Sequence, residues 1–333
     1  MPAISPSEIV NSLLDAIQQS GGNGYYVSES DRTHPRKFFV SQGENRFYLW
    51  VYIWTVTHGG RASLPNEYRI QMTSVSSPLQ FNPNGYTVLL GYFPDLGLFA
   101  GFDLQRHHIF TTGSPSVQIN ISAFHDALQN GFGFSTKDNR EIAVGIRPDQ
   151  FLNYIYNSIE LHQSVASHEM YQLIQRASKD IVADNDIETL SSTRKTLVSN
   201  VRRYSRDGKF KKSVLSAYEN RCAVTRWQLK LVEAAHILPV KEEGSVDHIS
   251  NGIALSPTIH KAFDSALIYL DEEYHIRINS EKESELRSAG LDDGLNQLHH
   301  FCNRQIHLPH DPNQRPNIDF IREANKIRRI PGF

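Results

Sequence analysis

Residues 232–271 constrain this chain more than any other segment, because side chains that can bind ions or transfer protons recur there at the ends of predicted elements. A largely apolar stretch with His236 near its end predicts a short strand. Asn251, fifteen residues later and followed by Gly, is typical of a turn. Ser256 and Pro257 then predict a helix start, with the serine as N-cap and the proline at the first helical position. The predicted order is strand, loop and helix.

The predicted helix carries two metal-ligand side chains on one face. His260 and Asp264 are four residues apart, so both point the same way and can hold one ion. Two stretches before it, CAVTRW from Cys222 and KLVEAAHILP from Lys230, predict two short strands joined by a turn. With only two Cys in the chain, neither a disulfide framework nor a four-Cys zinc site is available.

Three motifs in this region, YENRCAVT, EAAHILP and NGIALSPTIHKAFD, resemble the HNH nuclease family, and most of all the HNH modules of bacterial restriction endonucleases. The resemblance covers roughly residues 203–309, and the motifs agree with the family in order, spacing and predicted element type. It implies a ββα-metal motif that binds a divalent ion and hydrolyses phosphodiester bonds.

The resemblance also implies roles for individual residues, and His236, Asn251 and His260 form the implied catalytic set. His236 would be the general base that takes a proton from the attacking water. His260 and Asp264 match the helix positions that bind the metal. Asn251 would fix the loop through hydrogen bonds to backbone. The implied cofactor is Mg²⁺ or Mn²⁺, while an imidazole and a carboxylate leave Zn²⁺, Co²⁺ and Ni²⁺ open.

One position departs from the family pattern. Many members have a His or Asp immediately before the general base as a further ligand, and this chain has Ala235. Either two protein ligands suffice, or Glu233, two residues earlier on the same strand face, contributes directly or through water. The same departure motivates one alternative, a DNA-binding protein with an inactive nuclease fold, against which the retained His236, His260 and Asp264 argue.

A basic cluster runs directly into the motif region. Between Arg194 and Lys230 there are eleven Lys or Arg against two acids, although the whole chain has a formal charge of -2. Such a cluster suits a polyanion and would contact DNA phosphates without sequence preference. The predicted DNA-binding residues are Arg202, Arg203, Arg206, Lys209, Lys211, Lys212 and Arg221.

The N-terminal part predicts a β-rich domain. Aromatic and β-branched bursts such as RFYLWVYIW alternate with Gly and Pro turns, and the almost wholly apolar burst predicts a central strand covered on both faces. Some DNA readers flip a base into an aromatic pocket, and candidate residues for such contacts exist here, although aromatic residues in strands usually form core. The candidates for base recognition are Trp54, Arg61, Tyr68, Arg69 and Arg106.

These patterns together predict an α+β protein in three parts. They are a β-rich recognition or sensor domain at 1–158, a helical linker at 159–202 and an HNH nuclease domain at 203–333. The expected partners are double-stranded DNA and a second copy of the chain, since one site cuts one strand at a time. No segment predicts a membrane span, and the expected location is the bacterial cytoplasm.

Two further functional readings stay open beside the inactive fold. The first is a restriction enzyme, dependent on DNA modification or on sequence alone, whose N-terminal domain selects the DNA. The second is an anti-phage defence effector, whose N-terminal domain senses a ligand and releases a nonspecific HNH nuclease.

Overall fold

The computed structural model describes residues 4–43, 45–111, 113–165 and 167–333. It divides the chain into two compact units, Met1–Gly208 and Lys209–Phe333. Helices and strands are both substantial in each unit, which confirms the α+β class. None of the helices in the described ranges combines the length and apolar character that a bilayer crossing needs.

The first unit is built on a seven-stranded sheet and a smaller three-stranded sheet. The strand order is β1-β2-β3-β6-β7-β10-β9 in the large sheet and β4-β5-β8 in the small one. Neighbours in both sheets are antiparallel except β3 and β6, which run parallel. The strands are β1 (Asn23–Tyr26), β2 (Arg36–Gln42), β3 (Asn45–Thr55), β4 (Thr57–His58), β5 (Glu67–Gln71), β6 (Gly85–Phe93), β7 (Leu98–Phe102), β8 (Ser116–Asn120), β9 (Phe132–Thr136) and β10 (Ile142–Ile146).

Strand β3 is covered on both faces, as its composition predicts. Alternate side chains of a strand point to opposite faces. Leu49, Val51 and Ile53 pack into one hydrophobic cluster, while Tyr52 and Trp54 pack into the other. The sheet is therefore the middle layer of the unit, with a core on each side.

The helices of the first unit are α1 (Pro6–Gln19), α2 (Leu104–His107), α3 (Ile121–Asn130), α4 (Phe151–Gln163), α5 (His168–Ser178) and α6 (Asp184–Glu188). The segment 159–202, predicted as a linker, differs from that expectation. Leu161, Ile174 and Val201 are buried in the same cluster as β3, and the division falls after Gly208. Apolar residues are too sparse in this segment for its sequence to predict a core helix. These three residues are nevertheless buried in the cluster that contains the sheet residues.

The second unit contains the predicted ββα order. The C-terminal part of helix α7 (Ser192–Ala217) belongs to this unit. Phe210 and Val214 of the helix, and Tyr218 just after it, pack into the core of the unit. The remaining elements are β11 (Glu233–His236), β12 (Gly252–Leu255), α8 (Pro257–Asp264), β13 (Ile268–Leu270), β14 (His275–Ile278), α9 (Ser280–Ser288), α10 (Leu295–His299), β15 (Arg304–Gln305) and α11 (Ile318–Ile327). Strands β11 and β12 pair antiparallel, and β13, β14 and β15 form a separate sheet.

The strand pair of the motif is not the predicted one. CAVTRW forms a turn, in which the Thr225 N–H donates to Cys222 Sγ and the Arg226 N–H to the Cys222 carbonyl. The second strand is instead β12, which begins at Gly252. A β-carbon there would lie 2.2 Å from Val214 Cγ2, so glycine permits the close approach of β12 to α7.

Candidate active site

His236, the last residue of β11, is held by an acid and an aromatic ring. Its Nε2 lies 2.8 Å from Asp247 Oδ1, and its ring stacks on Phe210 at 3.8 Å between centroids. Because an ionised carboxylate only accepts hydrogen bonds, the Nε2–H donates to Asp247, and this contact favours the tautomer whose lone pair is on Nδ1. Asp247 and Phe210 were not among the predicted site residues.

Asn251 connects the two ends of the loop that follows His236. It is fully buried, and its Oδ1 accepts the Leu238 N–H at 2.8 Å. Its Nδ2 donates to the Leu238 and Val246 carbonyls, both at 3.1 Å, and to Ser245 Oγ at 3.2 Å. Hydrogen bonds to backbone were expected of this residue and are present. Since Asp247 follows Val246, these bonds also fix the acid that contacts His236.

His260, on α8, lies between two carboxylates. Its Nδ1 is 2.8 Å from Glu233 Oε2, and its Nε2 is 3.4 Å from Asp264 Oδ2. Burial opposes the charged ring, yet the Glu233 hydrogen bond and the Asp264 charge raise the pKa of His260 above its ordinary value. The same hydrogen bond lowers the pKa of Glu233. The structure thus brings the other two predicted metal-site residues, Glu233 and Asp264, against the His260 imidazole.

Ala235 faces the core. A longer side chain at this position could not reach an ion unless the packing changed. It is 1% exposed and lies in the hydrophobic cluster of the second unit. Glu233, two residues earlier, is the position on β11 that meets His260. Two cations complete the surroundings: burial lowers the pKa of Lys211 and of Arg328, while the charges of Glu233 and Asp264, respectively, oppose that shift.

The donor set around His260 fits a divalent ion. Nε2 and Oδ2 at 3.4 Å are spaced as two ligands on one ion with bonds of about 2.1 Å would be. The Glu233 contact occupies the other ring nitrogen, which is the usual arrangement behind a metal-bound histidine. His260 and Asp264 would therefore hold the ion, and Glu233 would orient the ring.

A second group of potential ligands lies in the turn between β13 and β14. One ligand atom each from Asp271, Glu273 and His275 lie within 4.8 Å of one another. Asp271 already accepts the Glu273 and His275 backbone N–H groups and the Arg277 Nε–H. These bonds explain Asp271 as the residue that shapes the turn.

The predicted DNA-binding residues fall into different environments. Arg202 is paired with Asp180 at 2.8 Å and with Asp184 at 2.5 Å, which favours a structural role. The Arg221 Nη1 lies 3.5 Å from the Arg226 carbonyl, and Arg203 lies over the Tyr204 ring. Arg206 lines a shallow pocket of the first unit.

Lys209 and Lys212 line an open groove of about 570 Å³ in the second unit. Phe210, Asp247 and His248 line the same groove. Two predicted phosphate contacts therefore lie beside the acid that holds the general-base candidate, and Lys211 lies on the Glu233 side.

The predicted base-recognition residues have different local partners. Trp54 is 9% exposed, and its indole N–H donates to the Thr73 carbonyl. Tyr68 and Arg69 are on β5, and Arg61 is paired with Glu67. Arg106, on α2, is 3.6 Å from Asp103.

The second unit has the ββα element order, and comparison with protein families identifies a nuclease domain there. Residues 222–271 match the family model described as HNH endonuclease. That range contains His236, Asn251, His260 and Asp264. The C-terminal unit thus contains an HNH endonuclease domain, and the protein is a nuclease.

The N-terminal unit matches a different family model. Residues 47–155 match Methylase-associated X1, MTaX1. Among solved structures, the chain is similar to a "Modification dependent TagI restriction endonuclease" at 12% identity, over 85% of this chain and 81% of that chain, with a TM-score of 0.30. A score this low does not establish a shared fold. No curated protein matches the chain significantly.

Proposed function

We propose that the protein is a metal-dependent DNA endonuclease of a restriction system, whose N-terminal domain selects the DNA that the HNH domain cuts. The observation that carries this proposal is the site around β11 and α8, where His236 with its Asp247 contact and the His260–Asp264 pair lie in one HNH domain. The match of residues 47–155 to a methylase-associated family supports a link between the first domain and DNA modification.

In the proposed reaction, water attacks the phosphorus and the bond to the 3′ oxygen breaks. His236 takes the water proton on Nδ1, because Asp247 holds Nε2 in its protonated form at 2.8 Å. Phe210 limits rotation of the ring by stacking. Asp247 is thus a positioning residue that sets which nitrogen is the base.

The remaining charges are placed for a phosphate. His260 and Asp264 would hold the divalent ion, which supplies charge neutralisation at the scissile phosphate and the leaving oxygen. Lys209 and Lys212 would contact backbone phosphates along the groove that Asp247 lines. A double-strand break needs two such sites, so a homodimer stays a prediction.

The test is cleavage of matched plasmids that are unmodified or carry defined cytosine or adenine modifications. We expect discrete fragments with Mg²⁺ or Mn²⁺ and none with EDTA, because the histidine–carboxylate pair needs an ion to act on a phosphate. A smear that appears only with an added activator would favour the ligand-controlled effector instead. DNA binding without metal-dependent cutting would leave only the inactive-fold alternative.

Replacement of Glu233 by Gln tests its role behind His260. We expect the Mn²⁺ concentration for half-maximal cleavage to rise about ten-fold, because loss of an orienting carboxylate weakens metal binding by this order. Glu243→Gln, at an exposed acid of the same domain, is the matched control. An unchanged Mn²⁺ dependence in Glu233→Gln would exclude Glu233 both as a ligand and as the residue that orients His260.

A further inference from the structure

A small cavity in the first unit lies outside the nuclease domain and contains none of the predicted base-recognition residues. Its volume is about 150 Å³. The lining combines aromatic and polar side chains from the start of β6, from α2 and from α4. The residues on which the argument rests are Phe81, Tyr86, Asp103, Gln105, Tyr154 and His162.

The inner wall of the cavity is a buried polar group of three residues. The Tyr154 hydroxyl is 2.9 Å from His162 Nε2, and His162 Nδ1 is 2.8 Å from the Ile142 carbonyl. Since a carbonyl only accepts, Nδ1 donates, and the tyrosine hydroxyl donates to Nε2. Burial raises the pKa of Tyr154 and lowers that of His162, so both are neutral. Asp103 is the third member and is 7% exposed.

Asp103 offers an acceptor for a ligand. One of its oxygens accepts the Gln105 N–H at 3.0 Å, and the other has the Arg106 guanidinium at 3.6 Å, beyond a normal hydrogen bond. A carboxylate as buried as that of Asp103 is costly unless it is paired and hydrogen-bonded. A ligand with an N–H donor would complete its bonding.

The rim of the cavity is preformed. Phe81 is 40% exposed and touches His108 edge to face. The loop after it is fixed by Asn82, whose Nδ2 donates to the Tyr48 carbonyl at 2.8 Å. A β-carbon at Gly85 would lie 2.1 Å from the Tyr48 carbonyl oxygen, so only glycine allows this approach. An exposed aromatic ring thus stands on a rigid loop at the entrance.

We propose that this cavity holds one cytosine, or cytosine substituted at C5, that has swung out of the DNA helix, with its exocyclic amine toward Asp103. The inference rests on the proposed function and names what the first domain reads. A cavity of about 150 Å³ accommodates a single aromatic ring of the size of benzene. Acidic side chains accept from the cytosine amine, and flipped bases are read at their Watson–Crick edge and stacked on aromatic rings.

The charge of the domain agrees with a pocket reader. Residues 1–150 contain ten Lys or Arg and twelve acids. A domain of that balance gains little from phosphate contacts. Selection must then come from a specific contact, and an enclosed site for one base provides it.

The experiment uses the full chain with His236→Ala, which prevents cleavage, and labelled duplexes that differ at one position opposite guanine. That position carries cytosine, 5-methylcytosine or thymine. Thymine has the shape of 5-methylcytosine with a carbonyl in place of the amine, and its mismatch is easier to open. Of the cytosine and 5-methylcytosine duplexes, the one that binds more tightly should have an affinity about ten-fold higher than that of the thymine duplex. A 2-aminopurine beside the position should brighten in the same complex as the base leaves the stack.

Variants assign the preference to the cavity. Phe81→Ala and Asp103→Asn should each remove most of it, while Tyr25→Ala, an exposed aromatic on β1 outside the cavity, should keep it. Equal or tighter binding of the thymine duplex would overturn the inference, and so would a preference that survives both cavity variants. If the wild type still cuts plasmids with metal in either case, the proposed nuclease function stands without it. A chain that neither binds nor cuts DNA would refute both.

Discussion

His236→Ala should abolish metal-dependent cleavage while the domain stays folded. Removal of a general base costs about 10²- to 10⁴-fold in rate, and no other described side chain occupies the position of the His236 ring between Phe210 and Asp247. The rate is measured as single-turnover nicking of a supercoiled plasmid with saturating Mn²⁺. Added imidazole should restore part of the rate, because it can enter the space left by the ring and take the proton.

His300→Ala is the matched control, since His300 is an exposed histidine of the same domain. We expect it to retain the wild-type rate. Circular dichroism of His236→Ala should match the wild type, and its affinity for DNA should change by less than the rate. Cleavage by His236→Ala within three-fold of the wild type would mean that another group accepts the proton. Rescue by imidazole, with a circular dichroism spectrum like that of the wild type, would separate a chemical role of His236 from loss of its stacking contact with Phe210.

The nuclease site shows what the sequence alone can predict. The roles of His236, Asn251, His260 and Asp264 were expected from the resemblance to HNH motifs. Only the shared face of His260 and Asp264 follows from helix geometry, because 3.6 residues per turn put residues four apart on one face. The structure brings His260 and Asp264 to 3.4 Å. Element type follows from the same local physics, as in the start of α8 at Pro257.

Asp247 shows what spacing could not predict. It lies in a loop, and no periodic pattern determines the direction of a loop side chain. Its contact with His236 depends on the path from Leu238 to Val246, which Asn251 determines through hydrogen bonds across thirteen and five residues. The available signal was an acid four residues before the motif asparagine, and its meaning required the path of the chain. CAVTRW was assigned wrongly for a related reason. Its β-branched residues suit a strand, but its backbone closes a turn from the Arg226 N–H to the Cys222 carbonyl, and the predicted partner β11 pairs with β12 instead.

Asn251→Ala should produce the largest loss of stability among substitutions at the site. The side chain is completely buried, and its removal leaves the Leu238 N–H and the Val246 carbonyl without this partner, while the Leu238 carbonyl keeps only the Ser245 hydroxyl. A buried polar group left unsatisfied costs about 1–3 kcal/mol. Water admitted to the new space offsets part of that sum, so we expect the second unit to lose about 3 kcal/mol. Cleavage should fall as well, because the loop no longer holds Asp247 against His236.

The measurement is hydrogen exchange in the full chain, followed at the Leu238 amide. This amide donates directly to the Asn251 side chain, so its protection should fall by more than that of amides in β13. Asn296→Ala, at an exposed asparagine on α10, should leave both rates unchanged. A uniform loss of protection over the whole second unit would indicate general destabilisation and not a local effect on the loop. Unchanged protection at Leu238 would contradict the role of Asn251 in holding the loop. Selective loss at Leu238 together with slower cleavage would connect the hydrogen bonds of one asparagine to the position of His236, the proposed base.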